Sequence, residues 1–70
     1  MERYLMAIDT TVTDLEAEQK DLKKMKITVV EIFDFINTLV IKANEKQILK
    51  IKKQIKGVIS IDIEGQMNAI

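Results

Sequence analysis

Apolar residues recur at heptad spacing through the first two thirds of the chain. Steps of seven from Leu5 reach Val12, Gln19, Lys26, Phe33 and Val40, and the companion set is Ile8, Leu15, Leu22, Val29, Ile36 and Ala43. Ten of these twelve positions are apolar. The pattern predicts a mainly all-α fold with a long coiled-coil helix over about 3–43, the twelve positions forming an oligomer interface. The chain has no Pro, its first Gly is Gly57, and Leu15–Lys26 consists almost wholly of strong helix formers. Ile27–Phe33 also has the β-branched residues of a strand, but Glu31 and Asp34 fall outside simple alternation and the helix reading takes precedence. Thr13-Asp-Leu-Glu16 and Thr28-Val-Val-Glu31 match capping-box spacing, so a new helix start near Thr28 is the competing reading.

The phase slips by one after Ala43. Ile48, Leu49, Ile51 and Ile55 carry the apolar stripe from there, and Asn44-Glu-Lys-Gln47 reads as an N-cap. A second, basic amphipathic helix is expected over about 45–56, stopped by Gly57. Beyond it, Ile59, Ile61 and Ile63 alternate with Ser60, Asp62 and Glu64, which predicts a short strand over about 58–63 within an interaction tail, 58–70. A lone strand needs a partner, so Ile59, Ile61 and Ile63 are the expected partner-binding residues. The whole, 1–70, reads as a single small domain.

Length favours self-association. A helix from Leu5 to Ala43 would run about 58 Å, whereas a compact chain of this size has a radius of gyration of about 11 Å. Gln19–Lys26 contains no Gly, Pro, Asn or Ser at which to fold back. The stripe also widens around Phe33, Ile36 and Val40, where Met25, Val30, Ile32 and Leu39 flank it. A homo-oligomer is expected, a parallel trimer or tetramer in preference to a dimer, with an antiparallel or domain-swapped arrangement as runner-up. Gln19 and Lys26 read as register devices in the seam, or Lys26 as a snorkelling side chain at a join between helices. In a parallel pair, Glu18 and Lys23 would face each other between chains.

Charge adds an asymmetry that the neutral total hides. Residues 1–21 hold six acids against Arg3 and Lys20, while 42–56 hold Lys42, Lys46, Lys50, Lys52, Lys53 and Lys56 against Glu45. That basic surface suits the chain's own acidic half, nucleic-acid phosphates or an acidic membrane. The stretch lacks Arg and aromatic residues, which weighs against nucleic acid, and it lacks Trp and Phe anchors, which weighs against a membrane.

Composition removes whole classes of chemistry. Without Cys there are no disulfides or thiolate sites, and without His there is no imidazole ligand or base. Asp14 with Glu18, and Glu31 with Asp34, are carboxylate pairs one helical turn apart that read as solvated, and Gly57 and Gly65 are isolated rather than a phosphate loop. No catalytic, metal-binding or cofactor-binding residue is expected. Val29–Ile41, interrupted by Glu31, Asp34 and Asn37, falls short of the roughly 20 residues of a membrane span. The N-terminus lacks the features of a secretory signal. A soluble protein is expected, intracellular or part of a viral particle.

The resulting functional expectation is a non-enzymatic structural or protein-interaction module, self-associating through its coiled coil and contacting another protein through its C-terminal segment. The alternatives are a small inhibitor or regulator of one host protein, and a nucleic-acid-binding oligomer using the Lys-rich helix, 42–56. Small coiled-coil chains serve as viral or phage assembly parts, adaptors and inhibitors, and no motif selects among these.

Overall fold

The computed structural model describes residues 2–64. Strand β1 (Glu2–Ile8) leads to helix α1 (Leu15–Lys24), strand β2 (Thr28–Phe33), a 3-10 turn (Asp34–Ile36), strand β3 (Thr38–Ala43), helix α2 (Glu45–Gln54) and strand β4 (Val58–Ile63). The strands form one antiparallel sheet in the order β2-β3-β1-β4. A β-α-β-β-α-β chain with β1 and β3 at the centre has the ferredoxin-like, split βαβ topology. This overturns the expected all-α fold: the coiled-coil helix over 3–43 does not exist, and one α-helix of ten residues stands within it.

Period-two burial marks β1, whereas β3 is buried at every residue but Lys42. Tyr4, Met6 and Ile8 of β1 are buried while Arg3, Leu5 and Ala7 between them are half-exposed. On β3, Leu39, Ile41 and Ala43 join them in the core beneath Leu22, Ile48 and Ile51 of the helices. Both helices therefore cover the same face of the sheet. Each fully buried Leu, Ile or Met contributes about 1.5–3 kcal/mol of hydrophobic stabilisation. The radius of gyration is 11.3 Å and the longest dimension 33 Å, too short for a continuous helix from Leu5 to Ala43, which would run about 58 Å.

Local chemistry explains each break in the supposed helix. Asp14, one residue after Thr13, caps α1 by accepting from the Ala17 amide at 2.7 Å. At its other end the Ile27 amide donates to the Leu22 carbonyl (2.9 Å) and the Lys26 amide to the Lys23 carbonyl (3.0 Å). This is a Schellman motif, with Lys26 in the left-handed position at φ 62°. The chain turns within Gln19–Lys26 without Gly or Asn because the cap bonds and the Ile27–Leu22 contact offset the strain at Lys26. Thr28 opens a strand instead of a helix.

Strand β2 hides its period because it carries a bulge. Val29 pairs with Ile41 and Glu31 with Val40, leaving Val30 extra. One added residue shifts the parity of everything after it. Asn44 and Gln47 form a reciprocal capping box (2.9 and 3.0 Å) at the start of α2. Gly57 then turns the chain with φ 84°, and its carbonyl accepts from the Asp9 amide at 2.7 Å. Strand β4 has its partner inside the chain: it pairs with β1, placing Ile61 opposite Met6 and Ile63 opposite Tyr4.

Candidate functional site

An apolar patch lies at one edge of the sheet. Strand β2 is an outer strand, so one side of its backbone has no neighbour among the described residues. At its end the chain reverses through Asp34–Ile36, closed by Asn37 in the left-handed region at φ 49°. The Ile8 amide donates to the Asn37 carbonyl (2.8 Å) and the Thr38 hydroxyl to the Ile36 carbonyl (2.9 Å), which fixes the turn. The Phe35 side chain is left at its tip, fully exposed (101%), with Ile36 at 65% beside it. Phe33, Ile32 and Val30 are also exposed along β2, with Ile32 on the helix-bearing face, Phe33 on the opposite face and Val30 in the bulge. Exposed apolar residues gathered around an unpaired strand edge and its turn make a candidate contact surface, whereas single exposed apolar residues do not.

A groove accompanies the patch. It lies between α1 and β2, encloses about 360 Å³, and is lined by Glu16, Gln19, Lys20, Lys23, Ile27 and Val29. The four helical residues follow i, i+3, i+4, i+7 spacing, so they form one stripe down the side of α1.

Polar groups elsewhere serve structure. On the open face of the sheet, Arg3 reaches Glu64 (Nε to Oε1, 2.9 Å) and Glu31 (Nη2 to Oε1, 3.6 Å). Asp9 accepts from the Thr11 hydroxyl (2.6 Å) and amide (2.9 Å), which together hold its carboxyl below the usual aspartate value. Glu18 is 1% exposed. The Thr13 hydroxyl donates to its Oε2 at 3.2 Å, and Oε1 has no partner. Burial pushes its carboxyl above the usual value, the Asp21 and Asp14 charges add to this, and the Thr13 hydroxyl opposes it. Among the described residues no three acids are placed to hold a metal ion. Among the described residues no helix is long and apolar enough to cross a membrane.

The twelve heptad positions do not meet on one surface. Ile8, Leu22, Val40 and Ala43 are buried within the chain, while Leu5, Leu15, Gln19 and Val29 are half-buried on three different elements. Val12 and Lys26 are exposed in connections. Only Phe33 and Ile36 fall in the apolar patch. The supposed Glu18–Lys23 interchain pair is corrected too, since Glu18 turns into its own domain. Ile61 and Ile63 pack against the core, leaving Ile59 exposed. Lys46, Lys50, Lys52, Lys53 and Lys56 are exposed on or just after α2, and Lys42 is exposed on β3. The central-strand residues on the face away from the helices, Arg3, Leu5, Ala7, Thr38, Val40 and Lys42, include no aromatic ring on which a base could stack, and Thr38 and Val40 are themselves buried.

Sequence reasoning missed Phe35 and the burial of Glu18. The turn residue Asn37 just after Phe33-Asp-Phe-Ile was a usable signal for the first. For Glu18, the signal was its place at i+3 from Leu15 and i−4 from Leu22 on the apolar stripe of α1.

Fold and site together define a small ferredoxin-like α/β domain with an apolar, open sheet edge. No protein-family model matches the chain, and no curated protein or solved structure shows a significant similarity to it.

Proposed function

We propose that this chain is a non-enzymatic protein-interaction module that accepts an extended segment of another polypeptide at the β2 edge and the β2–β3 tip. The observation that carries this reading is the fully exposed Phe35 beside Ile36, Phe33 and Ile32 at the end of an outer strand. The free amides and carbonyls of an edge strand accept an added strand, and adjacent apolar side chains supply the contact area. Aromatic residues are the usual anchors of such interfaces. The coiled coil is absent as a contact element. Strand β4 is the other outer strand, but Ile61 and Ile63 pack against the core and leave only Ile59 of its three isoleucines exposed, so β2 is the better-supplied edge. Residues 65–70 of the expected tail lie outside the described residues.

A photo-reactive phenylalanine analogue at position 35, in the organism's own cells, tests the reading, with the same group at Lys46 on the solvated side of α2 as control. Discrete protein adducts from position 35, absent from position 46, are expected. Equal adducts from both positions, or none from position 35, would refute it.

A further inference from the structure

We infer that the occupant of this edge is a second copy of the chain, bound about a two-fold axis so that the two β2 strands run antiparallel and the two α1 helices lie side by side. The inference rests on the reading of the β2 edge as the contact surface. Its own support is the self-complementarity of two elements that flank that edge.

The stripe of α1 toward the groove reads Glu16, Gln19, Lys20, Lys23. A two-fold axis between residues 19 and 20 sets Glu16 of each copy against Lys23 of the other, and Gln19 against Lys20. Parallel packing would put Glu16 against Glu16 and Lys23 against Lys23. The stripe thus selects the antiparallel arrangement, which is the one a closed two-fold dimer needs.

Strand β2 shows the same polarity. Lys26 precedes it and Asp34 follows it. A two-fold axis between residues 30 and 31 places Val29 opposite the other copy's Ile32, and brings the Lys26 end of one strand to the Asp34 and Phe35 end of the other. Like charges directly opposite are avoided, since Glu31 then faces Val30. A closed dimer requires the two axes to coincide, and the tight turn at Lys26 holds α1 against β2 so that one operator can serve both pairings. The Phe35 tip of each copy comes to the end of the other's groove where Ile27 lies.

The bulge at Val30 limits the strand ladder to a few bonds. The helix stripe and the aromatic tips therefore supply much of the contact. A standard interface covers about 800 Å² on each partner, roughly one sixth of this chain's 5082 Å² of accessible surface. The result is a continuous eight-stranded sheet with all four helices on one face.

Sedimentation equilibrium across the micromolar range, at low salt and near neutral pH, tests the arrangement with four proteins: wild type, Glu16→Lys, Lys23→Glu and the double variant. Both side chains are exposed, so folding is preserved, and circular dichroism checks this. Wild type is expected to dimerise. Each single variant sets like charges together twice per dimer and should weaken it by about three- to tenfold, while the double variant restores it. Ile32→Lys should abolish it. Restoration by the double variant is specific to the antiparallel two-fold. A wild type that stays monomeric overturns the inference, as does a dimer indifferent to the charge exchange. Adducts between Phe35 and a different protein, with a monomeric wild type, would overturn the second copy and leave the strand-accepting reading standing.

Discussion

Glu18→Met is expected to stabilise the protein. Glu18 occupies a core position of α1, 1% exposed, between Leu15 and Leu22 on the helix's inward stripe. One carboxylate oxygen accepts a single hydroxyl hydrogen bond and the other accepts none. A buried acceptor left unpaired costs about 1–3 kcal/mol, more when charged. Methionine has a similar volume, an equal helix propensity and no polar group to desolvate. The Thr13 hydroxyl loses its acceptor, but it is half-exposed and can turn to water. The net gain near neutral pH should be about 1–2 kcal/mol, or roughly 4–8 °C in Tm for each kcal/mol in a domain of this size. The sign with pH follows from the raised carboxyl. Protonated Glu18 is the form the fold prefers, so its favourable contribution is complete below the model-peptide value of 4.5 and is lost as pH rises from there through the folded-state value. The advantage of methionine should consequently be largest near neutral pH and shrink on acidification. Thermal melts of both proteins from acidic to neutral pH read this out. A variant less stable than wild type near neutral pH, or a gain that does not change with pH, would refute the reasoning.

Lys26→Gly should raise stability by about 1 kcal/mol in urea unfolding, because the left-handed C-cap position at φ 62° costs a side-chain-bearing residue that much relative to glycine. Gly57→Ala should lower stability by about 1–3 kcal/mol, since a Cβ there would lie 2.5 Å from Thr13 Cγ2 on a backbone already at φ 84°. Phe35→Asp should shift stability by less than about 0.5 kcal/mol, as its ring buries nothing in the folded chain, while abolishing adducts from a photo-reactive residue placed at the neighbouring Ile36. A large loss of stability in that variant would place Phe35 in the core and remove the argument for a contact surface.

Legibility in the sequence divided by the kind of signal each element carries. The α2 start was readable because its cap is local: Asn44 and Gln47 bond each other's backbones, and no distant residue decides it. The strand over Val58–Ile63 was readable from its alternation, but its partner was not, since β1 lies more than fifty residues away in the chain. The failure over 3–43 has a specific cause. Tyr4, Met6 and Ile8 have period two, yet Leu5 and Ile8 also satisfy a heptad, and β1 is too short to separate the two periods. In β2 the bulge at Val30 removed the alternation that would have identified a strand. The turn after α1 was invisible because its left-handed residue is Lys, whose presence there depends on the cap and on the burial of Ile27 and Leu22. Within the site, Phe33 and Ile36 lie on the heptad repeat without forming a coiled-coil seam, and Phe35 falls outside that repeat and carries no periodic signal.

The size of the chain links these features to association. Seventy residues can hide only about 60% of their unfolded surface, which leaves little surplus stability. This chain also holds a strained Lys26 and a half-satisfied Glu18. Association that requires the folded edge shifts the folding equilibrium by mass action, by about 2.7 kcal/mol at a partner concentration one hundred times Kd. Stability of the wild type should therefore rise with protein concentration, and that of Ile32→Lys should not. Melting at two concentrations a hundredfold apart separates the cases. A wild-type Tm independent of concentration would mean that the edge contributes nothing to folding in isolation, and that the domain carries its strained turn and buried acid on the strength of its own core.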